Sequence, residues 1–175
     1  MLLLFKYNME LKNIKVRFIF EEDVVVKPNS QIIWKIGKST FSIYKDATKF
    51  INATGLRSLH EIEQQKLVME KLFKQKIISV KIDNIFFSKK DDKNLDMCSL
   101  YNYLKGNKDY FCSYNIELFA GMYLLPSDKV YPTILLFRTG SYTLMGGKSM
   151  KLIYESEHFV KDLIHKFEKN VVHRN

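Results

Sequence analysis

The chain carries two versions of one pattern, and this duplication constrains its fold more than any other feature. Leu11-Lys12-Asn13-Ile14 opens an alternating, strand-like run, and Lys81-Ile82-Asp83-Asn84-Ile85 opens another. Each run leads later to an aromatic-bearing strand, Ile43-Tyr44 in the first half and Leu136-Phe137 in the second. Each then reaches a Gly-x-basic-Ser step, Gly55-Leu56-Arg57-Ser58 and Gly146-Gly147-Lys148-Ser149, and closes in an amphipathic helical pattern. A tandem repeat of this size predicts a pseudo-symmetric body built from two copies of one unit. The repeats are expected over residues 9–75 and 76–169. In a chain of 175 residues they form one compact domain with a sizeable core.

The local patterns say how each copy folds. Within residues 11–20, Ile14, Val16, Phe18 and Phe20 share one face of a strand, while Asn13, Lys15 and Arg17 share the other. One apolar and one polar face fit an antiparallel sheet covered on one side only. Further strands are expected over 31–36, 40–45 and 49–53. Ser58-Leu59-His60-Glu61 is a capping box that starts a helix with Ile62, Val68, Met69, Leu72 and Phe73 as its apolar stripe. The second half resumes with a strand over 77–88, where Ile82, Asn84 and Phe86 share a face. A polar insert over 91–109 carries one or two short helices, and strands follow over 114–125, 133–139 and 141–145. The closing helix places Val160, Leu163, Ile164 and Phe167 at i, i+3, i+4 and i+7. Strands followed by a helix, twice over, predict an α+β fold with one antiparallel sheet and helices on one face. The other face is left open, and its side chains carry the functional question.

Composition narrows the function. Lys and Arg outnumber Asp and Glu by 28 to 19, a formal charge of +9, and the basic residues are scattered along the chain. A basic surface of this kind suits nucleic acid first and an anionic membrane second. No stretch approaches membrane-spanning length, and Met1-Leu2-Leu3-Leu4-Phe5 is too short for a signal-peptide core, so no membrane partner is expected. Cys98 and Cys112 have no metal-ligand spacing, and reduced thiols in an intracellular compartment are the default. His60, His158, His165 and His173 show no arrangement for catalysis or zinc. Ser58 and Ser149 suit helix caps, and no phosphate-cradling glycine loop is present. The expectation is therefore a protein that is not an enzyme and takes neither cofactor nor metal. The abundance of Lys, Asn and Ile matches an AT-rich genome, such as that of a virus or parasite.

Three segments of the second half carry a family resemblance. Glu117-Leu118-Phe119-Ala120-Gly121-Met122, then Ile134-Leu135-Leu136-Phe137-Arg138-Thr139-Gly140, then Leu144-Met145-Gly146-Gly147-Lys148 resemble the second repeat of the TATA-box-binding protein core, which reads ELFPGL, LLIFVSG and LTGAK. Lys81-Ile82-Asp83-Asn84-Ile85 is similar to the family's KIQNI, and Leu11-Lys12-Asn13-Ile14 to LQNI. Ile32-Ile33-Trp34-Lys35-Ile36 is similar to VIMRI, and Ala53-Thr54-Gly55-Leu56-Arg57-Ser58 to CTGAKS. The resemblance runs from about residue 9 to 169.

It implies a pseudo-twofold saddle: a curved antiparallel sheet with helices on its convex face and its concave face in the widened minor groove of AT-rich duplex DNA. Asn13 and Asn84 then stand at symmetry-related places as donors to minor-groove acceptors. Phe119 and Phe137 match the family's wedge pair, which enters between base steps and kinks the duplex. Tyr44 matches one first-repeat wedge, and the other falls near Asn29. Lys15, Arg17, Arg57 and Lys148 are placed near phosphates, and Thr54 lies in the matching CTGAKS segment. Lys15 and Phe86 stand where the family has Val, and Met145 replaces a Thr, so a divergent member with altered TATA preference is expected. The implied function is transcription initiation with recruitment of a B-type initiation factor or an RNA polymerase subunit. The chain would work as a monomer or within a heteromer, in the nucleus or in a cytoplasmic viral factory. Two alternatives stay open: a protein-interaction subunit of a heteromeric factor with reduced DNA bending, and a module that binds RNA or an RNA–DNA hybrid.

Overall fold

A computed structural model describes residues 9–24, 32–43 and 49–172. The chain divides into two compact units, Leu11–Asn84 and the part from Ile85 onward, which also takes in Met9 and Glu10. The first unit contains most of β1 (Met9–Phe20), β2 (Ile32–Ile36), β3 (Ser39–Ile43), β4 (Phe50–Leu56) and α1 (Leu59–Phe73), and ends within β5 (Ile77–Lys89). Its strands lie in the order β2-β3-β4-β1-β5. The second begins with the remainder of β5 and adds α2 (Met97–Leu104), β6 (Tyr110–Ser113), β7 (Gly121–Pro126), β8 (Thr133–Phe137), β9 (Tyr142–Gly147) and α3 (Met150–Val172). Its strands lie in the order β5-β9-β8-β7-β6. The β1–β4, β2–β3 and β3–β4 ladders of the first unit and the β5–β9, β6–β7, β7–β8 and β8–β9 ladders of the second are antiparallel, and the class is α+β, as the alternation predicts.

The core follows that alternation. Ile14, Val16, Phe18 and Phe20 of β1 are fully buried, whereas Lys15 between them is exposed. In the second unit Ile85 and Phe87 of β5, Ile134 and Leu136 of β8, and Leu144 of β9 are buried in the same way. Helix α3 covers this core with Ile153, Val160, Leu163, Ile164 and Phe167. Helix α1 starts where the capping box predicts. The Ser58 hydroxyl accepts from the Glu61 amide at 3.0 Å, and the Glu61 carboxylate accepts from the Arg57 amide at 2.6 Å. Ser149 stands at the same place before α3, its hydroxyl accepting from the Leu152 amide at 3.3 Å.

The duplication is visible in one local device. The β1–β4 ladder pairs Ile14 with Leu56 and then slips by one residue. The β5–β9 ladder pairs Ile85 with Gly147 and slips at the same point. Beside each slip stands a glycine with φ near +88°, Gly55 in one unit and Gly146 in the other. Only glycine takes this conformation without strain, and a bulge of this kind re-aims the neighbouring side chains.

Two expectations change, and a third is met. The strand expected over 114–125 is formed only at its end, as β7; residues 114–120 make a turn that follows a separate short strand, β6. Asn115 makes the turn: its side chain accepts from the Glu117 amide, and its carbonyl accepts from the amides of Leu118 and Phe119. On α1, Ile62 and Met69 are buried, but Val68 and Leu72 are exposed, so the covered stripe is narrower than expected. The polar insert forms one helix, α2, capped by Asp96. Ser99's hydroxyl and the Cys98 and Ser99 amides donate to that carboxylate and hold its pKa below the ordinary value. Tyr44 and Asn29 lie outside the described residues.

Candidate nucleic-acid interface

Because covered and open positions alternate along each strand, the open face of each unit can be read from the register. In the second unit one row crosses five strands: Ser88, Thr143, Leu135, Tyr123 and Ser113. A second row pairs Met145 with Thr133, and Phe111 with Leu125. The surface is unusually apolar for a strand face without helices on it: Phe111, Tyr123 and Leu125 are all exposed. Exposed apolar side chains clustered on one face mark a binding surface rather than ordinary scatter.

At one end of this face stand the two predicted wedges. Phe119 leaves the Asn115 turn and is 42% exposed. Phe137 closes β8 and is half-buried. Their rings meet edge to face with centroids 6.1 Å apart, and Tyr123 lies against Phe119 at 5.8 Å. Gly121, which pairs with Phe137, makes the room: a Cβ there would lie 2.7 Å from the Phe119 ring and 3.0 Å from the Phe137 ring. The glycine therefore keeps two bulky rings together at the surface. Leu118, beside them in the turn, is 83% exposed. Phe86 sits in the β5 bulge on the open side, half-buried between Ile85 and Phe87. Lys148 is exposed immediately before the cap of α3.

The open face of the first unit carries more polar residues, together with the exposed Ile33. Ile33, Ser42, Asn52 and Arg17 form one row, and Lys35, Thr40 and Thr54 form another. Asn13 is fixed there by its neighbours. Its Oδ1 accepts from the Gly55 amide at 2.7 Å, and the Thr54 hydroxyl lies 3.2 Å from its Nδ2. Since the backbone N–H can only donate, the oxygen of the carboxamide is assigned to that side; Nδ2 then donates one hydrogen to the Thr54 hydroxyl and keeps a second N–H as a further donor. Arg17 is less free than its sequence position suggests. It bonds to the Asp83 carboxylate at 3.0 Å and lies over the Phe50 ring at 4.6 Å. Lys15 and Arg57 are exposed, and Asn84 is half-buried.

Sequence reasoning did not find Tyr123, Phe111, Leu125, Gly121 or Asp83. The first three were legible as the alternate positions of β6 and β7, once those strands are separated at Asn115. Asp83 carried no signal, because an ion pair between distant positions leaves no local pattern. Cys112 lies in β6 between Phe111 and Ser113, and burial pushes its thiol up to about 11, leaving it protonated at neutral pH.

Residues 79–167 match the family model of transcription factor TFIID (or TATA-binding protein, TBP). Among solved structures the chain is similar to Methanococcus jannaschii TBP, with a TM-score of 0.69 and 17% sequence identity over 91% of this chain and 99% of that one. Identity at that level speaks for the fold alone. No curated protein matches the sequence.

Proposed function

Because the chain belongs to the TATA-binding protein family, we propose that it is a transcription initiation factor that binds the minor groove of AT-rich duplex DNA and bends it. The observation that carries this reading is the Phe119–Phe137 pair, held at the surface of an apolar sheet face by the absence of a side chain at Gly121. Apolar wedges that unstack a base step need rigid rings exposed together, with an apolar surface behind them to receive the opened groove. The second Nδ2–H of Asn13 supplies a donor to a groove whose A·T pairs present only acceptors. Asn84, Thr54 and Phe86 belong to the same contact in this reading.

Arg57 and Lys148 support it from another direction. Each precedes the cap of a helix, where the positive end of the helix dipole disfavours a cation. A phosphate would be favoured at such a place, by the dipole and by the side chain together. Tyr44 is proposed as the first-repeat wedge. Recruitment of a B-type initiation factor or an RNA polymerase subunit completes the proposal, with action in the nucleus or a cytoplasmic viral factory.

Selection of duplexes from a random DNA pool tests the reading. AT-rich sequences should be enriched, and the purified chain alone should bend them. Recovery of RNA–DNA hybrid in preference to duplex, or no enrichment at all, would overturn it.

The ion pair on the open face adds a second expected result. Asp83 neutralises Arg17, so Arg17 contributes little to counterion release while the pair holds. Asp83→Asn should free that charge for a phosphate and steepen the dependence of log affinity on log salt by about 0.9, the slope of one added contact. Lys15→Ala should flatten the dependence by a similar amount. Salt titrations of fluorescence anisotropy check both. An unchanged slope in Asp83→Asn would show that Arg17 meets no phosphate.

A further inference from the structure

The helix-covered side of the second unit holds a groove that takes no part in the proposed DNA contact. A cavity of about 450 Å³ is lined by Tyr110, Ile134, Glu155, Ser156 and Phe159 and by the loop that joins β7 to β8. A second cavity of about 290 Å³, lined by Leu104, Asp162 and Leu163 among others, shares Asp109, Tyr110 and Phe159 with the first. The two form one trough in the size range of clefts that enclose a ligand or an anchoring side chain. Its floor is apolar and held in shape by packing, since the Tyr110 and Phe159 rings meet edge to face at 5.7 Å.

Two further properties say what the trough would take. The first is charge. Asp109, Asp128 and Asp162 line it, with Glu155 paired to Lys151 at 3.8 Å, against Lys108 and Lys166. The chain as a whole carries +9, so the local sign is the reverse of the global one. Such a rim repels phosphates and attracts Lys and Arg. The second is the Ser156 hydroxyl. It lines the cavity on a residue only 3% exposed, and it has no hydrogen-bond partner among the described residues. Buried hydroxyls are normally bonded, and one that is not points to a polar group supplied from outside.

We propose that this groove docks a basic, amphipathic segment of a partner polypeptide. A large apolar side chain of that segment enters between Tyr110, Ile134 and Phe159. Its Lys or Arg neighbours meet Asp109, Asp128 and Asp162, and a polar atom of the segment bonds to Ser156. An apolar anchor flanked by charges is the recurring form of peptide recognition in grooves. The proposal is independent of DNA binding, because every residue in it lies on the helix-covered side of one unit.

Random twelve-residue peptides displayed on phage and panned against the full chain without DNA supply the probe. One recovered peptide is then synthesised with a fluorophore for anisotropy. Recovered peptides should combine a large apolar residue with two or more Lys or Arg. Asp109→Lys with Asp162→Lys, both exposed positions, should weaken the synthetic peptide at least tenfold, and Ser156→Ala should weaken it severalfold. Added salt should weaken it too, and an AT-rich duplex should leave it bound. No enrichment, enrichment of acidic peptides, or binding that survives the double reversal would overturn the proposal. Since the panning uses no DNA, its result stands whether or not the chain bends a duplex.

Discussion

Phe119→Ala combined with Phe137→Ala is expected to abolish most DNA bending while the protein stays folded. Both rings lie at the surface end of the open face rather than in the core, and Phe119 is 42% exposed. Removing them therefore costs less stability than the about 3–5 kcal/mol of a buried Phe→Ala change. The loss falls on the complex instead. Unstacking one base step costs a few kcal/mol, and a wedge offsets it only if the ring enters the step and the bent duplex gains contact behind it. Without either ring the duplex should return towards its straight form, with affinity for AT-rich duplex lower on the order of 100-fold, the equivalent of a few kcal/mol. Gly121→Val should act in the same direction without removing a ring, because the added side chain occupies the space into which both rings pack. Energy transfer between dyes on the duplex ends measures the bend, and thermal unfolding without DNA controls for stability. A full bend in the double variant would rule out these residues as wedges.

The two open faces are unequal, and this bears on how such a protein would sit on a promoter. The second unit offers Phe111, Tyr123, Leu125 and the Phe119–Phe137 pair. The first offers Ser42, Asn52, Thr40 and the Arg17–Asp83 ion pair, with Ile33 and the Phe50 ring as its apolar part. An apolar face gains by excluding water from an opened groove, whereas a polar, internally paired face gains mainly through phosphates and steering. The sharper kink is therefore expected under the second unit, which would orient the chain on an otherwise symmetric AT-rich site.

Much of this was legible in the sequence because it depends on short-range rules. The β1 alternation gave the face of Asn13, Lys15 and Arg17, since strand side chains alternate whatever surrounds them. The Ser58 capping box gave the start of α1, and the i, i+3, i+4, i+7 spacing gave the covered side of α3. The repeated Gly-x-basic-Ser step showed the duplication, but the bulges at Gly55 and Gly146 emerged only from the strand ladders. What failed depended on competition between local signals or on distant pairing. Asn115 carries the chemistry of a turn, yet the apolar residues after it invited a continuous strand. Val68 and Leu72 fit a helical stripe, but whether a stripe is covered depends on what packs against it. The acidic groove lies among residues from β6, the β7–β8 loop and α3, and no segment of the sequence shows it alone.

Replacing Asn13 separates recognition from support, since this side chain does both. Its oxygen accepts from the Gly55 amide at 2.7 Å, at a glycine where an added Cβ would lie 2.6 Å from the Lys38 carbonyl oxygen. Its NH2 donates one hydrogen to Thr54 and keeps the other for a base. Asn13→Ala removes both functions. It should lower the preference for A·T over G·C by about 1–3 kcal/mol, the worth of one lost base contact. It should also cost about 1–3 kcal/mol of stability by leaving the Gly55 amide unsatisfied. Asn13→Asp divides the two. A carboxylate still accepts from Gly55, so the bulge should survive and thermal unfolding should change little. It donates nothing, however, and its charge faces minor-groove acceptors and the phosphates beyond them. Duplex affinity should therefore fall further in the Asp variant than in the Ala variant, although the Asp variant is the more stable protein. If Asn13 only supported the bulge, the order would reverse, and Asp would bind AT-rich duplex better than Ala. Parallel measurements of unfolding and duplex affinity on the two variants decide between these orders.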